Sequence, residues 1–452
     1  MMLSKEEFVE REIENMKRDL GLLVSHPSVF ATDGEPFGLE NQKVLADALK
    51  LMQDYGLRTK NLENYCGYGE AGSGEKLVGI LAHLDVVPAG EGWSTDPYTM
   101  VEKDGVLYGR GVSDDKGGAV ASLYALKYLL ETGYPFRKRV RLILGCNEES
   151  GSRGIAYYVS KEGHIDCGFT PDADFPGIFA EKGMISGSIR NTASKILSLE
   201  GGEAGNIVCR KAKAVLPADS FDEAKLDAYL KENEIPYTLE KGENWLLTTE
   251  GIAAHASLPD LGKNALSYLL EALHAADFND ELTDFYHEHI GLCVHGEKLG
   301  LEAVKDEYTD VSWNCGVART ADGVITISVD SRFPVTRKAA EVLPYYDVLK
   351  AENTQFVLRG THDPLFFDRE APMIKALMKA YQDVTGDTVS QMQAIGGGTY
   401  AKAIHNCVAF GCAFEGEPGD IHNANEYLYI ESFKKQVLIY IEAIKNLDAL
   451  EI

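Results

Sequence analysis

No apolar run in this chain of 452 residues reaches the roughly 18 that a membrane-spanning helix requires, and no membrane partner is expected. The opening residues, Met1-Met2-Leu3-Ser4-Lys5-Glu6-Glu7, lack a basic stretch followed by an apolar one, which sets a cytoplasmic expectation. Paired cysteines are missing as well. The eight present (Cys66, Cys146, Cys167, Cys209, Cys293, Cys315, Cys407 and Cys412) are scattered with no Cys-x-x-Cys, so neither a thiolate zinc knot nor a disulfide framework is suggested; they read as reduced core thiols. Proline is scarce, at 15 residues, and no segment is of low complexity, which excludes collagen-like and disordered classes. Positive charge is in deficit: 44 Lys and Arg stand against 70 Asp and Glu, a formal net charge of −26. Such a surface repels polyphosphate and anionic lipid, so no nucleic-acid partner is expected and small-molecule or peptide chemistry is left.

What the chain does contain, 45% hydrophobic residues over this length, suffices for two or three domains with their own cores. Ser4 and Glu7 stand in capping-box spacing ahead of Phe8, Ile13, Met16, Leu20 and Leu23, which predicts an amphipathic helix to about Val24. Leu45, Ala48, Leu49, Met52 and Tyr55 predict a second helix, stopped at Gly56. Residues 77–82 and 140–145 read as buried strands, with a helical stretch over about 116–131 between them. Strand, crossover helix and strand form the unit of a mainly parallel sheet. Near Ile185 the texture changes to alternating strands, such as 323–330, and charged helices; helices and glycine-rich turns return after about Ala371, and a closing helix is expected over about 429–447. The expected fold class is α/β: a mixed, mainly parallel sheet flanked by helices, built from residues 1–185 and 376–452, with an inserted α+β domain over 186–375.

Residues that carry chemistry follow the strands. After Ala82 comes His83-Leu84-Asp85-Val86-Val87-Pro88, and strand ends are where open α/β sheets bind ligands. His83 and Asp85 project on one side of an extended segment, as a metal site or as a merely hydrogen-bonded strand end. The glycine-flexed loop Gly109-Arg110-Gly111-Val112-Ser113-Asp114-Asp115 delivers two carboxylates to a helix start, where an N-cap is the plainer reading. Asn147-Glu148-Glu149-Ser150-Gly151 follows the second strand, and adjacent glutamates are equally the mark of a solvated loop. Converging carboxylates repel one another unless a multivalent cation compensates, and the placement of all three clusters beside strand ends favours a pair of divalent metals. Asp172, in FTPDADFP, and His422, in GDIHNANE, offer further ligands or pass as a turn and a cap. His255, flanked by alanines, reads on its own as a satisfied structural residue.

In order along the chain, HLDVVPAGEGW, GRGVSDDKGG, NEESGSRG, TPDADFP, GGEAGN, AAHASLPDLGKNA, SRFP, GGGTYAK and GDIHNANE resemble the motifs of a co-catalytic metallopeptidase family. That family includes carboxypeptidase G2, aminoacylase, succinyl-diaminopimelate desuccinylase and carnosinase, and the resemblance is strongest to its PepV-type dipeptidase branch. It implies two divalent ions, Zn²⁺ first with Mn²⁺ or Co²⁺ as alternatives, bridged by Asp114. His83 and Asp172 would complete one sphere, Glu149 and His422 the other. Asp85 would orient His83, and Glu148 would be the general base acting on a hydroxide-forming water between the ions. The inserted domain would act as a lid, from which His255 stabilises the oxyanion. Asn206, Arg332 and the run Gly397, Gly398 and Thr399 would hold the substrate, with Arg332 on its free carboxylate. The implied activity is hydrolysis of unblocked dipeptides. A deacylase or desuccinylase of N-acyl amino acids, or a non-catalytic metal-dependent binding protein, are the alternatives, the last disfavoured by the presence of Glu148 and His255. The enlarged lid implies a monomer, since members with a smaller lid pair through it. One departure is Gly118, where the dipeptidase motif often has proline; it reads as a surface-loop change.

Overall fold

The protein is described by a computed structural model over residues 3–452, and its chain divides into two compact units. The first is formed by the chain up to Phe179 together with Phe367–Gln393 and Gly398–Ile452; the second is Ala180–Phe366 with Ala394–Gly397.

In the first unit the helix Lys5–Val24 begins where the spacing predicts. Glu7 N donates to Ser4 Oγ (3.1 Å) and Ser4 N to the Glu7 carboxylate (2.9 Å), so two otherwise orphaned donors are satisfied reciprocally. The helix buries Phe8, Met16, Leu20 and Leu23. A second helix, Leu39–Asp54, starts ahead of the apolar pattern and stops before Gly56, whose φ of +92° suits a residue without Cβ.

The sheet of this unit is mixed with a parallel centre. Its order runs Arg58–Leu62, Cys66–Ala71, Arg139–Gly145, Leu77–His83, Cys167–Thr170, Cys407–Ala409 and then Ile178–Glu181, the strand in which the chain leaves the unit. The strands from Arg139–Gly145 to Cys407–Ala409 pair in parallel, and the flanking ones antiparallel. Parallel strands need cover on both faces, and every residue of Leu77–His83 is buried. The helix Lys116–Glu131 is the crossover between Leu77–His83 and Arg139–Gly145, and it packs beside the closing helix Ile430–Ala449. Because His83 pairs with Gly145 and Ile80 with Phe169, these strands end together, and the loops leaving that edge carry Asp85, Glu148, Glu149 and Asp172.

Gly118 departs from its sequence reading. It is buried in the first turn of Lys116–Glu131, where a Cβ would lie 2.3 Å from Asp115 Oδ1 and 2.9 Å from Pro171 Cβ. The loop before the helix folds inward, so this glycine packs against the Asp172 loop instead of facing solvent.

The second unit, taken by itself, is α+β. Its antiparallel sheet runs Tyr237–Lys241, Trp245–Glu250, Lys211–Leu216, Ser198–Gly201, Ala318–Ala321, Val324–Phe333, Gly183–Asn191 and Thr354–His362. The alternating strand Val324–Phe333 turns Ile325, Ile327 and Val329 into a core shared with the helices Glu223–Glu232, Ala265–Ala275 and Glu281–His289. All eight cysteines are free thiols, buried except for half-buried Cys293. Among the described residues no helix is long and apolar enough to cross a membrane.

Candidate functional site

His83 ends its strand with the imidazole held from behind. Nδ1 donates to the main-chain carbonyl of Asp85 (2.9 Å), which turns Nε2 toward Asp114 Oδ1 at 2.9 Å. The other oxygen of the same carboxylate, Oδ2, lies 2.9 Å from His422 Nε2. Asp114 therefore presents one oxygen to each of two imidazoles. Glu149 Oε1 stands 3.2 Å from His422 Nε2, and Asp172 Oδ2 stands 4.0 Å from His83 Nε2. Two donor groups thus share Asp114: His83 with Asp172, and His422 with Glu149. His83, Asp114 and Glu149 each offer a ligand atom, and these atoms lie within 4.8 Å of one another.

The plainer readings of these loops do not hold. Asp115 directly precedes the helix Lys116–Glu131 but makes no side-chain cap bond; its Oδ2 accepts instead from His83 N (3.2 Å). The Asp85 carboxylate accepts from Glu148 N (3.0 Å) and Glu149 N (3.1 Å), so the two glutamates sit on a fixed main chain and not in a solvated loop. Orientation of His83 comes from the Asp85 carbonyl, while its carboxylate braces the next loop. Tyr400, fully buried, stands edge-on to His83 with centroids 6.1 Å apart, in space kept free by Gly145. A Cβ on Gly145 would lie 1.8 Å from Tyr400 Oη.

Crowded acids shift one another. Burial pushes Glu148 up to about 7 and Asp85 up to about 6, and it raises Asp115 and Asp172 well above the carboxylate range, with neighbouring carboxylates adding to the effect. Asp114 moves the other way: burial works against its charge, but the hydrogen bonds to His422 and His83 outweigh it. Burial opposes charge on His83 too, yet Asp114, Asp172 and Asp85 lift it well above the usual histidine value. His422 is raised to about 10 by Asp114 and Glu149. Without metal, protons do the neutralising. No lysine or arginine among the described residues ion-pairs with Asp114, Glu149 or Asp172. Two imidazoles and three carboxylates with converging atoms fit divalent ions such as Zn²⁺, Mn²⁺ or Co²⁺, which would displace those protons on binding.

In the second unit Asn206 and His255 lie on paired segments. Ala256 N donates to Asn206 O (2.9 Å) and Val208 N to Ala254 O (2.8 Å), which sets Ile207 opposite His255. His255 Nδ1 accepts from Ser257 N (3.2 Å) and faces Ser257 Oγ at 2.6 Å, so the proton belongs on Nε2. Partial burial and the Arg332 charge push the ring below its usual value, which makes it a neutral donor. Arg332 donates from Nε (3.0 Å) and Nη2 (3.3 Å) to Asp330 and from Nη1 (2.7 Å) to Gly396 O, leaving the outer Nη1 and Nη2 hydrogens for another acceptor. Gly397 belongs to this unit. Gly398 and Thr399 belong to the first, where Thr399 Oγ1 accepts from Ala401 N (3.2 Å) at the head of the turn Tyr400–Ala403.

Comparison with known proteins decides the family, since residues 79–446 match Peptidase family M20/M25/M40. The chain belongs to this family. Among its M20 relatives, the Beta-Ala-Xaa dipeptidase of Lactobacillus delbrueckii subsp. lactis is 30% identical over 473 residues, covering 99% of each chain. Human carnosine dipeptidase 1 shares the fold with a TM-score of 0.58 at 16% identity, over 99% of this chain and 98% of that one. A tripeptidase from Staphylococcus aureus does so with a TM-score of 0.57 at 17% identity, over the full length of both. M20 membership makes the protein a metal-dependent hydrolase. Sequence reading assigns no role at this M20 site to two buried acids, Glu426 and Asp115, the latter read only as one of a carboxylate pair at a helix start. Their only signal is position: each lies inside a motif whose neighbours are candidate ligands.

Proposed function

We propose that the protein is a dipeptidase that cleaves unblocked dipeptides with two divalent ions, Zn²⁺ first, held in the first unit. His83 and Asp172 would hold one ion and His422 and Glu149 the other, with Asp114 shared between them. The observation that supports this most is the Asp114 carboxylate, with one oxygen 2.9 Å from each histidine. Ions bound there would supply Lewis acidity, which lowers the pKa of a water and polarises a carbonyl.

The rest is work for side chains. Glu148 takes the proton of the attacking water and returns it to the leaving amine; its carboxyl, pushed up to about 7 by burial, is suited to both transfers. His255 donates its Nε2 hydrogen to the oxygen on which negative charge develops, and Asn206 on the neighbouring segment supports the same group. The outer edge of Arg332 receives the free carboxylate of the substrate, assisted by the main chain of Gly397, Gly398 and Thr399. The second unit, which carries Asn206, His255 and Arg332, serves as the lid; the enlarged lid that the family resemblance implies supports a monomer as the working form, and the cytoplasm is the proposed location.

A substrate panel tests the activity. Dipeptides with both termini free should be hydrolysed, while a tripeptide and N-acetyl amino acids should be poor substrates. Cleavage confined to N-acyl amino acids would replace this reading with a deacylase, and no cleavage of any would leave a metal-dependent binding protein.

A further inference from the structure

We propose that Glu426 is a positioning residue of the metal centre, a buried carboxylate that fixes the Asp114 loop and the His422 loop against each other so that both present their ligand atoms before any ion arrives. This rests on the metal-centre reading given above. Glu426 is 1% exposed. Its two oxygens accept from the main-chain N–H of Gly111 (3.1 and 3.0 Å), Ser113 (2.9 Å) and Asp114 (3.1 Å), and from Arg110 Nη1 (2.8 Å). Its own carbonyl accepts from Gly109 N (3.1 Å). Gly111, at φ +89°, lets the chain wrap these N–H groups around one point, a concave cradle that suits an anion.

The cradle reaches each loop that matters. Asp114 must keep two oxygens on two histidines from distant parts of the chain, and its main-chain N–H is tied to Glu426 Oε1. His422 lies four residues before Glu426, in a stretch where Asp420, His422 and Asn425 all have left-handed φ (+50°, +63° and +63°). Non-glycine residues hold such angles only where their surroundings over-determine them. Here Tyr427 N closes the loop onto Gly419 O (2.8 Å), and Ser94 N donates to Asn425 Oδ1 (2.8 Å). Arg110 extends the hub: its guanidinium lies over the Trp93 ring at 5.2 Å and donates to Ala89 O (3.2 Å), in the segment that follows His83. With its oxygens committed to these donors, Glu426 acts through Asp114 and His422 and not as a ligand itself.

The test is competition for Zn²⁺ between metal-stripped protein and a chromophoric chelator, for the wild type and for Glu426→Gln. The amide keeps the size of the side chain but loses the charge and sets an NH₂ group against N–H donors. The expected result is two ions bound by the wild type and an affinity for at least one of them lowered about 10- to 100-fold in the variant, the range seen when groups that hold metal ligands are changed. Unchanged affinity for both ions overturns the proposal, including the case in which the metal-free variant merely melts at a lower temperature. Should Glu426→Gln fail to fold, Arg110→Gln, which leaves the carboxylate and its main-chain donors, is expected to weaken Zn²⁺ in the same direction by a smaller factor; unchanged affinity there overturns it equally. Failure of the wild type to bind two ions would instead remove the metal-centre reading, so the two failures are distinguishable.

Discussion

A guanidinium gripped on one edge by Asp330 and on one nitrogen by Gly396 has lost most of its rotamer freedom before a substrate arrives. Arg332 is therefore expected to bind a carboxylate at low entropic cost, and a lysine, which lacks the fork, cannot replace it. Arg332→Lys should raise KM for dipeptides about 10- to 100-fold with kcat little changed, since one charge-assisted bond contributes roughly 1.5–3 kcal/mol and each 1.4 kcal/mol is tenfold. Dipeptide amides, which lack the carboxylate, should respond far less; an equal loss for both would take Arg332 off the substrate. Glu148→Gln should lower kcat by about 10²- to 10⁴-fold while metal analysis still finds two ions per chain, and loss of metal would make Glu148 a ligand. At this scale the legible part is residue type: carboxylates and imidazoles stood out because burying several together needs compensation. What could not be read is the work of main-chain groups. The atom that orients His83 is the Asp85 carbonyl, and a carbonyl is present at every position of a sequence.

Helices and strands were legible where their signals are local. The Ser4–Glu7 capping box, the apolar face of Lys5–Val24 and the continuous apolar run over 77–82 are each set within a few residues. Ser4→Ala should cost about 1 kcal/mol in denaturant unfolding without affecting turnover. The packing of elements against the site was not legible, because it depends on partners far away in sequence. Gly118 looked like a surface position and is pressed against Asp115 and Pro171; the bond from Arg110 to Glu426 spans 316 residues. Gly145 is the sharpest case. It ends the strand Arg139–Gly145, and its missing side chain is the room that Tyr400 occupies beside His83. Gly145→Ala should cost about 1–3 kcal/mol in stability by overpacking and should lower kcat together with it, measured by thermal unfolding and initial rates. A variant as stable and active as the wild type would show that Tyr400 moves aside freely.

Across the whole molecule the acids dominate, with a net charge of −26. His83, His422, Glu148, Asp115 and Asp172 are all raised above their ordinary values, so the metal-free folded protein holds protons there that the unfolded chain has released. The stability these groups contribute is complete below their unfolded pKa values and is lost as pH rises through the folded ones, near 7 for Glu148 and near 10 for His422. Asp114, lowered instead, loses its contribution only in strong acid. The melting temperature of metal-free protein should therefore fall between pH 6 and pH 9, and the gain on adding Zn²⁺ should grow over the same interval; a gain independent of pH would mean that the ions do not replace those protons. The central claim is a pair of ions sharing Asp114, and its most direct measurement is a titration of chelator-stripped protein with Zn²⁺ or Mn²⁺ that follows bound metal and dipeptide hydrolysis together. Hydrolysis should be absent at the start and reach its plateau at two ions per chain, and Asp114→Asn should abolish both the plateau and the tight binding. Full hydrolysis by stripped protein, or a plateau at one ion that survives Asp114→Asn, would contradict it.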